Sequence, residues 1–150
     1  MPIRRICVQE ITDVENTDAF TVTCTNPTHT PVGQANPSEC NVALYNVAFT
    51  TNPVPTISYS FDSQFKYAFL QNGVTFEEFC NVFNQSRSIT FDSGTTSCCG
   101  LTTSIVSAST CDPTAITTTS TSVSGPVTFA FTVNNLCAQT VICVDDTTCL

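Results

Sequence analysis

Alternation of apolar and polar residues with a period of two dominates the chain from residue 19 onward. Phe20, Val22 and Cys24 alternate with Thr21 and Thr23, and the rhythm returns at Tyr45, Val47 and Phe49, at Ile57, Tyr59 and Phe61, and at Phe65, Tyr67 and Phe69. Successive side chains of a strand point to opposite faces, so each run predicts a half-buried strand. Ile89 and Phe91 begin another, Leu101, Thr103 and Ile105 a further one, and Thr114 to Ser124 is a Thr/Ser run of extended character. Val127, Phe129, Phe131 and Val133 form the clearest strand of all.

Breakers separate these runs. Asn26 to Ser38, with Pro27, Pro31, Gly33 and Pro37, reads as loop, while Asn52-Pro53-Val54-Pro55, Asp92-Ser93-Gly94 and Gly125-Pro126 end strands. Asn72-Gly73 is the strongest short turn signal, and Asn134-Asn135 predicts a hairpin into Leu136 to Val144. Strand-like segments recurring at roughly 8 to 12 residues predict an all-β chain, an antiparallel β-sandwich of jelly-roll-like form.

Two stretches carry helical spacing instead. Thr75 and Glu78 stand at capping-box separation, and Phe76, Phe79, Cys80 and Phe83 follow at i, i+3, i+4 and i+7, which predicts one short helix near residues 76–84. Ile3, Ile6, Cys7, Ile11 and Val14 fall near one helical face, so residues 1–18 read as an N-terminal arm or short helix. Residues 19–150 then form a single sandwich domain.

Charge narrows the partners. Arg4, Arg5, Lys66 and Arg87 are the only fixed cations against 12 carboxylates, a net charge of −8. Such a surface lacks the basic patch that nucleic acid or anionic lipid requires, so neither is expected as a partner. At the N-terminus, Gln9 and Glu10 interrupt the apolar run that follows Arg4-Arg5, so no signal peptide is recognised, and no run approaches the ~18 apolar residues of a membrane span.

Ten cysteines in 150 residues is the density of a disulfide scaffold, although a chain of this length can bury a core without staples. All ten, Cys7, Cys24, Cys40, Cys80, Cys98, Cys99, Cys111, Cys137, Cys143 and Cys149, are expected to form disulfides, either wholly within the molecule or partly between molecules. Adjacent cysteines bond to each other only through a strained ring that favours a cis peptide. Cys98 and Cys99 are therefore expected to send their sulfurs to different segments, or one of them to a neighbouring molecule. Cys7 and Cys149, near the chain ends, join Cys98 and Cys99 as candidates for intermolecular bonds.

Catalytic and metal chemistry find little support. The chain has no C-x-x-C pair, and its single histidine, His29, lies in the Pro-rich loop and reads as solvated. A Cys99–His29 pair has no glycine-framed nucleophile turn to recommend it, so neither a catalytic residue nor a cofactor is assigned. Glu10, Asp13, Glu15 and Asp18, with Asp145 and Asp146, lack the tight glycine-turned loop of a calcium site and read as a solvated acidic face.

The stretch Tyr67-Ala68-Phe69-Leu70-Gln71-Asn72-Gly73-Val74-Thr75-Phe76-Glu77-Glu78-Phe79 resembles the aromatic, glycine, then Phe-Glu-x-Phe signature of a family of cysteine-rich spore proteins. These are the outer-coat and exosporium basal-layer proteins of the coat protein Y/Z type. Ser97-Cys98 with Leu101 to Val106, and the ending with Cys137, Cys143 and Cys149-Leu150, are similar in style to the same family. Spore-appendage fibre subunits are similar in behaviour. The resemblance implies a structural subunit, made without an export signal and cross-linked by disulfides on the spore surface, whether in the outer coat, the exosporium or an appendage. Its partners would be copies of itself, through strand edges or swapped arms, and other cysteine-rich coat proteins. A fibre subunit is the alternative, and a secreted monomeric binding module a further one.

Overall fold

The computed structural model of the chain describes residues 4–8, 10–51, 54–91, 95–97, 102–138 and 142–146, with 4–8, 95–97, 138 and 142–146 described along the backbone. In chain order the strands are β1 (Arg4–Val8), β2 (Ile11–Cys24), β3 (Pro31–Gln34), β4 (Cys40–Thr50), β5 (Thr56–Gln71), β6 (Val74–Thr90), β7 (Thr95–Ser97), β8 (Ser104–Cys111), β9 (Thr117–Thr118), β10 (Val123–Ala138) and β11 (Ile142–Asp146). Every described pairing between them is antiparallel. The expected all-β antiparallel architecture is the one observed.

Two long central strands organise two layers. In one, β10 pairs with β2 along one side and with β9, β8 and β7 in succession along the other. In the second, β5 pairs with β6 along one side and with β4 and β3 along the other. The alternating residues of β5 and β10 face each other between the layers. Tyr59, Phe61, Phe65, Tyr67, Phe129 and Phe131 are each at most 2 % exposed. Tyr59 lies 4.9 Å from Phe129 and 5.0 Å from Phe131 between ring centres, and Phe61 lies 5.1 Å from Phe129, the tilted packing that aromatic quadrupoles favour.

The Asn72-Gly73 turn explains the largest correction to the sequence reading. Both residues take positive φ, 53° and 77°, a combination that matches the twist of a two-residue hairpin, so β5 returns directly as β6. The stretch near residues 76–84 is therefore strand and not helix. Phe76, Glu78 and Cys80 stand opposite Phe69, Tyr67 and Phe65, and this pairing overrides a helical spacing only two turns long. At the N-terminus the expected arm or helix is likewise extended, and β2 runs through residue 18 without a break, held along its length by β10.

Other expected boundaries also dissolve into longer strands. Within Asn26 to Ser38, Pro31 begins the short strand β3, at the strand start where a missing N–H is tolerated. Asn134-Asn135 is a bulge inside β10, with Asn135 at φ 62°, and β11 pairs with β1 in place of the predicted terminal hairpin. Asn46 and Asn84, at φ 52° and 56°, mark the other two bulges of this type, since asparagine tolerates the left-handed region.

Gly125-Pro126 was expected to break a strand, yet β10 passes through it. On the side away from β2, β10 pairs with β9 at Val123 and Ser124 and with β8 only from Val127, so Pro126 falls where no N–H partner is called for. Gly125 sits against the Phe65 ring, and a Cβ built there would come within 2.6 Å of Phe65 Cδ1. Gly125→Ala is therefore expected to cost roughly 1–3 kcal/mol through overpacking, read by urea denaturation. Unchanged stability would show that the aromatic core yields more easily than its packing suggests.

Candidate functional site

A sandwich leaves two open sides where the edge strands of its layers meet, and here each side is stapled. β2 faces β6 on one side, and the disulfide Cys24–Cys80 joins them with a Cα–Cα distance of 6.1 Å. β4 faces β8 on the other, and Cys40–Cys111 joins them at 6.3 Å. Gln34 Nε2 on β3 adds bonds to the carbonyls of Thr114 (3.3 Å) and Ile116 near β9. Each staple links segments distant in sequence, by 56 and 71 residues.

The β2–β6 side also holds an ionic knot that the sequence did not announce. Asp18, read as part of a solvated acidic face, is 8 % exposed. Arg87 donates from Nε to Asp18 Oδ2 at 2.8 Å and from Nη2 to Oδ1 at 3.0 Å, and the Tyr59 hydroxyl donates to Oδ2 at 2.6 Å. The guanidinium lies 3.7 Å above the Phe20 ring, and Asn16 Nδ2 donates to the Thr90 carbonyl at 2.7 Å. Burial alone would raise the Asp18 pKa, but the hydrogen bonds from Arg87 and Tyr59 and the charge of Arg87 outweigh it and hold the carboxyl below its ordinary value. Glu10, Asp13 and Glu15 remain exposed, as expected.

At the far end of the sandwich, His29 is not the solvated residue anticipated. Its Nδ1 lies 2.7 Å from Glu78 Oε1, and its ring stacks on Phe69 with centres 3.9 Å apart. The Tyr67 hydroxyl donates to the same Glu78 oxygen and accepts the His29 backbone N–H at 3.1 Å. Burial and the Glu78 carboxylate push the Tyr67 phenol up to about 12. Burial would raise Glu78, but the Tyr67 and His29 hydrogen bonds pull it down. The arrangement pins the β2–β3 loop to the β5–β6 hairpin. The Cys99–His29 pairing weighed from sequence involves a residue outside those described.

At the near end, β1 and β11 form a two-stranded ribbon whose register places Cys7 opposite Cys143, Arg4 opposite Asp146 and Arg5 opposite Asp145. Cys137, at the end of β10, is also disulfide-bonded. Cys98, Cys99 and Cys149 lie outside the described residues. In sequence, Cys98 follows directly on β7, which pairs with the ribbon end of β10, and Cys149 comes shortly after β11. The cysteines thus divide between staples on the two open sides and a group associated by chain order with one end. Periodicity could not reveal that division, because it depends on which edges the two layers bring together.

Among the described residues no group of histidine, cysteine and carboxylate side chains is placed to hold a metal ion, and no helix is long and apolar enough to cross a membrane. A surface groove of about 260 Å³ runs along the β2–β6 side, lined by Thr21, Thr23, Gln85 and Arg87 among others.

The fold and its staples define a disulfide-clamped antiparallel β-sandwich. No family model, no curated protein and no solved structure matches the chain. Disulfides such as these form and persist in oxidising surroundings.

Two predictions follow from this geometry. Replacing Cys24 and Cys80 together by alanine is expected to lower stability by roughly 2–4 kcal/mol in urea, through the freed 56-residue loop of the unfolded chain. A loss below about 0.5 kcal/mol would mean that the core alone closes this side. Asp18→Asn is expected to cost roughly 1–3 kcal/mol at neutral pH. Because the folded carboxyl titrates below its unfolded value, that contribution is present above about pH 3.9 and fades as pH falls through the lower folded value. Denaturation curves at stepped pH should therefore show the gap between the two proteins closing on acidification, and a constant gap would contradict the ionic account.

Proposed function

We propose that the protein is a self-assembling structural subunit of a disulfide-cross-linked layer on the bacterial spore surface. Assembly proceeds in two stages. Copies first associate reversibly through strand edges and the protruding ends, and oxidation of thiols between them then removes the route to dissociation.

The observation that carries this reading is the division of the cysteines. Cys24–Cys80 and Cys40–Cys111 close the sandwich on itself. Of the remainder, Cys137 is itself bridged within the chain, while Cys7, Cys98, Cys99, Cys143 and Cys149 belong in chain order to the ribbon end of the molecule. Of the candidates for bonds between subunits, Cys7 lies opposite Cys143 in the ribbon, so exchange between neighbouring ribbons is the simplest intermolecular bond open to it. The chemically distinct ends of the molecule favour an appendage fibre as the second reading. Partners are other copies and further cysteine-rich coat proteins, and the spore location rests on the resemblance of residues 67–79.

Non-reducing gel electrophoresis of the purified, air-oxidised protein tests the proposal. A ladder of multimers that collapses to monomer with reductant is expected. A single monomer band at every concentration would reject it in favour of a monomeric binding module.

A further inference from the structure

An edge strand offers unpaired backbone groups to any passing strand, and proteins guard such edges with charge, proline, bulges or short length. The sandwich guards its edges unequally. The charged residues of the two layers all lie on β2, β5 and β6, and β3, β4, β7, β8, β9 and β10 carry none. On the β2–β6 side, β2 carries Asp13, Glu15 and Asp18, while β6 carries Glu77, Glu78 and Arg87 and is bulged at Asn84. On the other side, β4 is bulged at Asn46, where its register with β5 shifts, and β3 is four residues long and begins at proline. β8 has none of these devices.

β8 pairs with β10 over eight consecutive residues without a register shift, from Ser104 opposite Asn134 to Cys111 opposite Val127. Its other edge makes no backbone hydrogen bond to any described element. Val106, opposite Thr132 on the outer face, is 60 % exposed, and Ser107 and Ala108 beside it are exposed as well. Both ends of the strand are tied down. Cys111 is bonded to Cys40, Asn134 Nδ2 donates to Ser104 Oγ at 3.3 Å, and Asn135 Nδ2 donates to the Thr102 carbonyl at 3.2 Å. A regular, uncharged edge held in place is a template for pairing, and little further ordering is needed when a second strand arrives.

We propose that β8 is the interface between two copies of this chain, pairing antiparallel with itself across a two-fold axis so that the β2–β10–β8 layer continues into the partner. The inference rests on the assembly reading above, of which it names the reversible first contact. The occupant is a second copy because β8 meets its own complement in itself. A slip of one residue turns every side chain to the opposite face, so only odd-with-odd and even-with-even pairings keep the two layers in continuity. Centred on Ser107, the pairing sets Val106 against the partner's Ala108 on each side of the axis, and Ile105 against the partner's Ser109 on the core side. Copies of net charge −8 thus meet along strands that carry no charge, whereas the same pairing along β2 would gather three carboxylates from each copy. An isologous joint closes on itself, so β8 yields a dimer, and growth beyond it is left to the cysteines of the ribbon end.

Charge placed across the axis tests this. Thiols outside existing bridges are blocked with iodoacetamide, so that analytical ultracentrifugation reads only non-covalent association, and circular dichroism checks the fold of each variant. Val106→Glu with Ala108→Glu sets carboxylate against carboxylate at both pairs, and Val106→Lys with Ala108→Glu sets ammonium against carboxylate at the same places. The blocked wild type is expected to show a monomer–dimer equilibrium. The double-glutamate variant should dimerise at least roughly tenfold more weakly, about 1.4 kcal/mol, and the lysine–glutamate variant more tightly than the double-glutamate one. Hydrogen exchange of the wild type gives a readout that needs no variant to fold: the amides of residues 104–111 should exchange faster on dilution, and those of β2 should not respond. A blocked wild type that is monomeric at every concentration would overturn the pairing, as would undiminished dimerisation of a folded double-glutamate variant. Equal weakening by both variants would overturn it too, as would β8 amides indifferent to dilution, the mark of an edge covered within the molecule. A disulfide ladder from unblocked protein whose blocked form is monomeric would overturn the β8 joint and leave the assembly reading standing. A blocked dimer whose unblocked form gives no ladder would support the joint and remove the cross-linked layer.

Discussion

Face-to-face contact between the central strands β5 and β10 is the constraint on which the rest of the molecule depends. Tyr59, Phe61, Phe129 and Phe131 interlock between the layers, and every strand of the two layers is positioned by pairing with one of these two. A core of close-packed aromatics fixes the separation of the layers and therefore which edge strands meet. Cys24 reaches Cys80, and Cys40 reaches Cys111, only because that separation brings their Cα atoms to 6.1 and 6.3 Å. The disulfides are consequences of the core before they are supports for it. Gly125 shows how little slack remains, since the Phe65 ring occupies the space a side chain would need.

The two open sides are closed by different chemistry. The β4–β8 side relies on its disulfide and on Gln34 bonding to loop carbonyls, whereas the β2–β6 side adds a buried carboxylate bound by Arg87 and Tyr59. Arg87 remains 42 % exposed, so the pair adds little net stability of its own, but a register that took the guanidinium away would leave the buried Asp18 carboxylate without its partner. Placed on an edge strand, it fixes how β2 lies beside β6 where no ladder of backbone bonds does so. His29, Glu78 and Tyr67 act similarly at the far end, tying a Pro-containing loop to the hairpin.

Much of the layering was legible because period-two alternation is a direct imprint of a sheet with one buried face. The alternating rows of β5 and β10 were visible residue by residue. What misled was short-range coincidence. Phe76, Phe79, Cys80 and Phe83 match a helix over two turns, yet the Asn72-Gly73 turn four residues earlier had already specified a hairpin, and the longer pattern prevailed. Proline and asparagine were read as breaks where the strands absorb them, Pro126 at a gap between partners and Asn135 at a bulge. The Asp18–Arg87 pair and the His29–Glu78 pair, 69 and 49 residues apart, leave no local trace, since each follows from where two layers bring distant edges together.

The staple between β2 and β6 has a mechanical consequence. β2 runs from the ribbon end to Cys24, the bond to Cys80 transfers the chain path to β6, and β6 runs on to the exposed tip at Phe76 and Val74. Traction applied between the two extremities therefore travels along an unbroken line of covalent bonds. Hydrogen-bonded ladders flank that line and need not bear the load, so the sandwich can be pulled lengthwise as a tie rod and not unzipped as a stack of strands.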